Sequence, residues 1–153
     1  MSFRVGIRIV LCQWLLLAVI SAADFDGDGV ADEFKPTRDA VALAGGKDVR
    51  VVDPWSEKSA ARQAPKGLCF FARLSREPQS YLLHGELFTT PIWSQKPLPL
   101  KIIGTKDRAY SAWKKQAPAM KGDGIQLGTE AGIDILLFWD GKRWRVFEPV
   151  EEP

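Results

Sequence analysis

The sequence predicts a mainly β fold, a β-sandwich or a partial propeller-like sheet carrying one short packed helix, and three observations lead there. Short β-favouring runs alternate with turn-forming clusters over most of the chain. Helical periodicity is confined to one segment. Near the C-terminus, two apolar-containing runs flank Asp140-Gly141, a dipeptide suited to a tight hairpin turn. An α+β arrangement is the alternative.

The hairpin runs from Ile133 to Phe147. Pairing Trp139 with Lys142 sets Leu137 opposite Trp144 and Ile135 opposite Val146 on a core face. Leu136 and Phe138 then meet Arg145 and Arg143 on the other face, where arginine stems cover apolar surface. Upstream, Ala40 to Leu43 and Val49 to Val52 flank the turn Ala44-Gly45-Gly46-Lys47. Further strands are expected over Gly67 to Leu74, Tyr81 to Phe88, Leu100 to Ile103 and Ile125 to Gly128. Asp53 to Lys66, with two prolines and scattered charge, reads as a surface loop. The helix is expected over Lys106 to Gln116: Ala109, Tyr110, Trp113 and Ala117 share a face, Lys114 and Lys115 point outward, and Pro118 ends it.

Residues 1–23 have the three parts of a secretory leader: Arg4 and Arg8, the apolar run Ile9 to Ile20 broken only by Gln13, and the small residues Ser21, Ala22 and Ala23. The apolar run is shorter than the roughly 20 residues of a spanning helix. Cleavage after Ala23 fits best, with a cut after Ser21 as the nearest rival. A periplasmic or secreted location follows, with no membrane span after cleavage. The remaining 130 residues, Asp24 to Pro153, suit a single β-rich domain. They hold 19 Lys and Arg against 19 Asp and Glu, a balance that offers nothing to nucleic acid. Cys69 is the one cysteine of this stretch, so no internal disulfide can form there; a buried inert thiol or an intermolecular bridge are its two readings.

The segment Asp24-Phe25-Asp26-Gly27-Asp28-Gly29-Val30-Ala31-Asp32 places carboxylates at loop positions 1, 3, 5 and 9 and glycine at position 6. That spacing wraps oxygen ligands around a hard cation: Asp24, Asp26 and Asp28 through carboxylates, Val30 through its carbonyl, and Asp32 directly or through water. Several carboxylates this close repel one another unless a cation lies among them. Calcium is favoured over magnesium because the ligands are many and flexible, and over zinc because no His or Cys is near. Lys35 stands where an EF-hand has its bidentate glutamate, so affinity in the roughly millimolar range of extracellular modules is expected.

Asp24 to Asp32 resemble the D-x-D-x-D-G-x-x-D loops of thrombospondin type 3 repeats and of FG-GAP or VCBS-type blades in bacterial periplasmic and surface proteins. The strands after the loop are compatible with such a blade, although one copy makes no propeller. Gly128-Thr129-Glu130 through Trp139-Asp140-Gly141-Lys142-Arg143-Trp144 looks like small periplasmic bacterial proteins that join one such loop to a terminal hairpin. The resemblance implies bound Ca2+ and, as one role, an immunity factor or lysozyme inhibitor.

Catalytic readings are weak beside this. His84, the single histidine, sits in Leu82-Leu83-His84-Gly85-Glu86 with Ser80 and Ser94 as the available hydroxyls, but no glycine-x-serine-x-glycine elbow exists. Glu86, Glu130, Asp134 and Asp140 could pair for glycoside cleavage only if the fold brought them together. Of five tryptophans after the leader, Trp113, Trp139 and Trp144 fall on apolar faces, whereas Trp55 and Trp93 lie in proline-flanked loops and are the better partner contacts. Lys142, Arg143 and Arg145 make a basic hairpin edge, ordinarily a solvated rim. The expectation is therefore an exported, non-enzymatic, inhibitor-like calcium-binding domain whose partner is a secreted or periplasmic protein such as a toxin or lysozyme-like enzyme. A cell-envelope structural or carbohydrate-contacting domain comes second, and an envelope hydrolase third.

Overall fold

The computed structural model describes residues 20–38, 46–56, 68–85, 98–129 and 131–149. Nine strands and one helix occupy them: β1 (Ile20–Ala23), β2 (Asp32–Thr37), β3 (Val49–Val52), β4 (Cys69–Arg73), β5 (Ser80–Leu83), β6 (Leu100–Ile103), α1 (Tyr110–Gln116), β7 (Gly124–Leu127), β8 (Ile135–Trp139) and β9 (Trp144–Phe147). Two sheets form, with strand orders β1-β2-β4-β5-β3 and β6-β7-β8-β9. Every pairing is antiparallel except that of β3 with β5.

The two-residue side-chain period decides what each sheet buries. In the first, Phe34 lies opposite Ala72, Ala72 opposite Tyr81, and Phe70 opposite Leu83. In the second, Ile125 lies opposite Leu137, Leu127 opposite Ile135, and Leu137 opposite Val146. These residues from both sheets join one hydrophobic cluster, so the sheets share a core and the fold is a β-sandwich. Aromatic rings run through it: Phe34 stacks on Phe70 at 5.3 Å, and Trp144 meets Phe25 at 5.4 Å and Trp139 at 5.9 Å, both edge-on. Such pairs add about 0.5–1.5 kcal/mol each beyond the area they bury. Among the described residues, the indole Nε1 of Trp144 is the buried side-chain polar atom without a hydrogen bond, a local cost of about 1–3 kcal/mol.

The C-terminal hairpin forms, but two residues out of the expected register. Trp139 pairs with Trp144 and Leu137 with Val146, leaving Asp140 to Arg143 as a four-residue turn in place of Asp140-Gly141 alone. Asp140 is the cause: its Oδ1 accepts the N–H groups of Lys142 and Arg143, and its own N–H donates to the Arg143 carbonyl. An aspartate that satisfies the turn backbone itself favours this wider turn. A shift of two preserves parity, so Leu137, Trp139, Trp144 and Val146 stay on the core face. The opposite face differs from expectation too. Leu136 and Phe138 are buried with Ala117 and Met120, and Tyr110, Trp113 and Phe147 pack against them, so the helix covers that face together with Arg145, which lies opposite Phe138.

The helix itself starts four residues later than expected. Asp107 holds the chain before it in a turn, its Oδ1 accepting the Ala109 N–H and its carbonyl the Tyr110 N–H. It ends as Pro118 requires, with the Ala117 N–H on the Trp113 carbonyl. Among the described residues no helix is long and apolar enough to cross a membrane.

The strands expected over Val49 to Val52 and Leu100 to Ile103 match β3 and β6, and those expected over Gly67 to Leu74 and Ile125 to Gly128 contain or overlap β4 and β7. β5 begins at Ser80 and its last strand residue is Leu83. β1 and β2 were not expected as strands: the sequence reading put Ile20 to Ala23 in the leader and ended the acidic loop at Asp32. The described partner of β3 is the parallel strand β5. The strand expected over Ala40 to Leu43, most of the loop expected over Asp53 to Lys66, Trp93, Glu130 and most of the expected leader lie outside the described residues.

Cys69 and Leu82 are fully buried on the outer face of the first sheet, with Val49 and Val51 against them. Burial pushes the Cys69 thiol up to about 11 from 9.0. The neutral thiol is therefore the form the fold prefers. Stability holds below pH 9, where the unfolded chain keeps the proton too, and falls as pH rises from 9 to 11 while only the folded chain retains it. The expected loss is about 2–3 kcal/mol across that window. Tyr81, also raised by burial and by the Glu77 carboxylate it donates to, adds a loss that begins above pH 10. Urea melts of Cys69→Ala at pH 8, 9 and 10 should lack the first part of this decline; an unchanged slope between pH 9 and 10 would refute the assignment.

Candidate metal centre

The acidic loop leaves the core through Phe25. This side chain is fully buried between Asp24 and Asp26, edge-on to Phe34 at 5.7 Å as well as to Trp144. With Phe25 inward, its neighbours stand at the surface, and the chain curls around their carboxylates. Asp24 Oδ1 accepts the N–H groups of Gly27 and Asp28 at 2.7 and 3.0 Å, and Oδ2 accepts Gly29 N–H at 2.8 Å. Asp26 Oδ1 accepts Asp28 N–H, and Asp28 Oδ1 accepts Val30 N–H. Gly27 and Gly29 take φ of +76° and +85°, which a side chain would resist.

One carboxylate oxygen from each of Asp24, Asp26 and Asp28 lies within 4.8 Å of the other two. Oxygens sharing one calcium ion at 2.3–2.6 Å are separated by at most about 5 Å, so the spacing suits that ion. Lone pairs remain as well. A carboxylate has about four acceptor sites; Asp24 uses three on backbone N–H groups and Asp26 one. Burial, reinforced by the charge of Asp32, pushes the Asp26 carboxyl up to about 6 against the pull of the Asp28 N–H. Its ionised form thus lacks compensation from the protein, and a cation would supply it.

Asp28 is differently placed. The Val30 N–H, the Ser75 hydroxyl and the Arg76 guanidinium hold its carboxyl below the usual range. Arg76 Nε lies 2.6 Å from Oδ2, and the Ser75 hydroxyl donates to the same oxygen at 3.1 Å. Asp32 stands outside the triad: it is buried, with Oδ1 accepting Ser75 N–H at 2.8 Å and Oδ2 accepting Phe25 N–H at 2.7 Å. Burial pushes its carboxyl up despite those bonds. It ties the loop to the β4–β5 turn. Val30 is half-exposed at the crest of the loop.

The loop's second support, the segment Lys121 to Asp123, carries no signal in the sequence. Gly122 N–H donates to the Phe25 carbonyl at 3.0 Å and Asp123 N–H to the Asp24 carbonyl at 2.7 Å. Asp123 Oδ2 accepts Asp24 N–H in return. The contact is so close that a Cβ on Gly122 would stand 1.9 Å from the Asp24 carbonyl oxygen. A glycine flanked by Lys and Asp before a strand reads only as a turn, which is why this role was invisible.

The other candidate residues scatter. Trp55 is half-buried, packs on the main core and donates its indole N–H to Glu148. His84 faces a sulfur, with Nδ1 3.7 Å from Cys69 Sγ, and that thiol's raised pKa makes it a poor nucleophile at neutral pH. Asp134 accepts from the Gln126 amide, and Asp140 is spent on its own turn and on Arg145. No protein-family model, curated protein or solved structure matches the chain. The resemblance to known calcium loops therefore rests on the residues of the loop itself.

Two substitutions probe this architecture. Phe25→Ala empties a fully enclosed aromatic site and should cost about 3–5 kcal/mol in a denaturant melt. Gly122→Ala should cost at least about 1–3 kcal/mol, and hydrogen exchange should show the Gly27, Asp28 and Gly29 amides losing protection first. Unchanged exchange at those amides would mean that the loop stands without its second support.

Proposed function

We propose that the protein is an exported, non-enzymatic calcium-binding domain of the periplasm or cell exterior, acting on another protein in the manner of an inhibitor or immunity factor. The observation that carries the calcium reading is the triad of Asp24, Asp26 and Asp28 oxygens within 4.8 Å of one another on a loop tied into the core. In this reading Asp24, Asp26 and Asp28 hold the ion through carboxylates, Val30 adds its carbonyl, and Asp32 acts through water while its oxygens bind the backbone. Calcium supplies positive charge to carboxylates that otherwise repel, which orders the loop.

Non-enzymatic action is supported by the surroundings of His84, whose sulfur neighbour is buried and protonated at neutral pH. Export is supported by the leader pattern at residues 1–23. Turnover of a cell-wall polymer that disappears in His84→Ala would defeat the non-enzymatic reading.

The deciding measurement is thermal melting of the exported chain with calcium and with chelator. At ten times Kd, binding to the folded state alone adds about 1.4 kcal/mol, a rise of about 5 °C for a domain of this size. Asp26→Ala should abolish the difference, and it is the cleanest variant because its carboxylate accepts one described hydrogen bond where Asp28 holds Ser75 and Arg76. Identical melting with and without calcium in the unaltered chain would sink the calcium reading.

A further inference from the structure

Asp123 is a buried carboxylate that the calcium reading does not use. Its described bonds come from the backbone: Asp24 N–H reaches Oδ2 at 3.0 Å and Thr105 N–H reaches Oδ1 at 2.9 Å. Among the described residues no Lys or Arg pairs with it, and a buried carboxylate without a cationic partner is costly. One of the two donors is the nitrogen of the residue that follows the leader.

We propose that Asp123 is the receptor for the α-ammonium group created on Asp24 when the leader is removed, an inference that rests on the export reading. Water, with a leader peptidase, adds across the Ala23–Asp24 peptide bond. The Ala23 carbonyl becomes a carboxylate and the Asp24 nitrogen an amine, which takes up a proton at neutral pH. The bond from a neutral amide N–H to the Asp123 carboxylate then becomes an ion pair inside the fold. Three contacts already hold the backbone on the C-terminal side of the Asp24 nitrogen: Asp123 N–H on the Asp24 carbonyl, Gly122 N–H on the Phe25 carbonyl, and the buried Phe25 ring.

The sheet is prepared for the loss of β1. That strand pairs with β2 through two positions, Ile20 with Phe34 and Ala23 with Asp32, and the register slips between them. β2 meanwhile has the marks of an edge strand. Pro36 cannot donate to a neighbour, and Glu33 and Lys35 form an ion pair at 2.7 Å.

The test is a thermodynamic cycle by urea denaturation. One chain begins at Asp24, released from a cleavable fusion, and another keeps residues 20–23; each is made with Asp123 and with Asp123→Asn, which retains an acceptor for Thr105. Removing the carboxylate strands a buried ammonium in one chain and only an amide N–H in the other, so Asp123→Asn should lower the folding constant about tenfold more in the chain beginning at Asp24. Acetylating the Asp24 amine of the otherwise unaltered chain should produce the same loss, and decides the matter if Asp123→Asn does not fold. Equal costs in both chains with no effect of acetylation overturn the proposal. Failure of the chain beginning at Asp24 to fold, where the longer one folds, also overturns it, because β1 is then indispensable. The mass of the exported protein reports separately on export: a first residue other than Asp24 refutes the cleavage point, whereas a missing excess in the cycle refutes the receptor role.

Discussion

The burial of Phe25 is the constraint on which the rest of the N-terminal architecture depends. An aromatic ring between two aspartates can satisfy its hydrophobicity only by entering the core, and there it meets Phe34 from one sheet and Trp144 from the other. That insertion turns Asp24 and Asp26 outward together and brings the chain around them. It also places the loop backbone against Lys121 to Asp123, where the absence of a side chain on Gly122 lets the two segments touch. Loop, sandwich and the β7 entrance are thereby one packing problem.

Four aspartates of similar appearance do different work because their environments differ. Asp24 spends its lone pairs on the backbone of its own loop, and Asp28 is shared with Ser75 and Arg76. Asp32 is a buried cross-link between the loop and the β4–β5 turn. Asp26 has the least protein compensation, and its raised pKa is the electrostatic signature of that shortfall. A buried carboxylate satisfied by backbone N–H groups stabilises through directed hydrogen bonds, whereas clustered surface carboxylates gain most from a cation. Asp32 and Asp123 belong to the first kind, and the triad to the second.

Much of the sandwich was legible in the sequence, and its errors have physical causes. The hairpin faces were right because a shift of two residues preserves parity; the register was wrong because Asp140 satisfies the backbone of a longer turn. The helix segment was recognisable from the spacing of Tyr110, Trp113 and Ala117, but its start was set by Asp107, which serves the turn before it. β2 was read through because Glu33, Lys35 and Pro36 give it the composition of an edge. Arg145 does lie opposite Phe138, but the helix over the same face is not legible, because sequence spacing cannot show which element will lie over a face.

By itself the sequence determined the β-rich class, the strand faces, the helix that Pro118 ends, and the spacing of Asp24, Asp26 and Asp28. These depend on periods of two and four residues, or on ligands a few positions apart, and such distances are fixed by local backbone geometry. Only the tertiary structure decided that Phe25 belongs to the core, that Asp32 binds the Phe25 and Ser75 backbone, and that Gly122 and Asp123 support a loop about a hundred positions earlier in the chain. Those contacts arise when two sheets pack on one core, and nothing local in the chain encodes which distant segment will arrive.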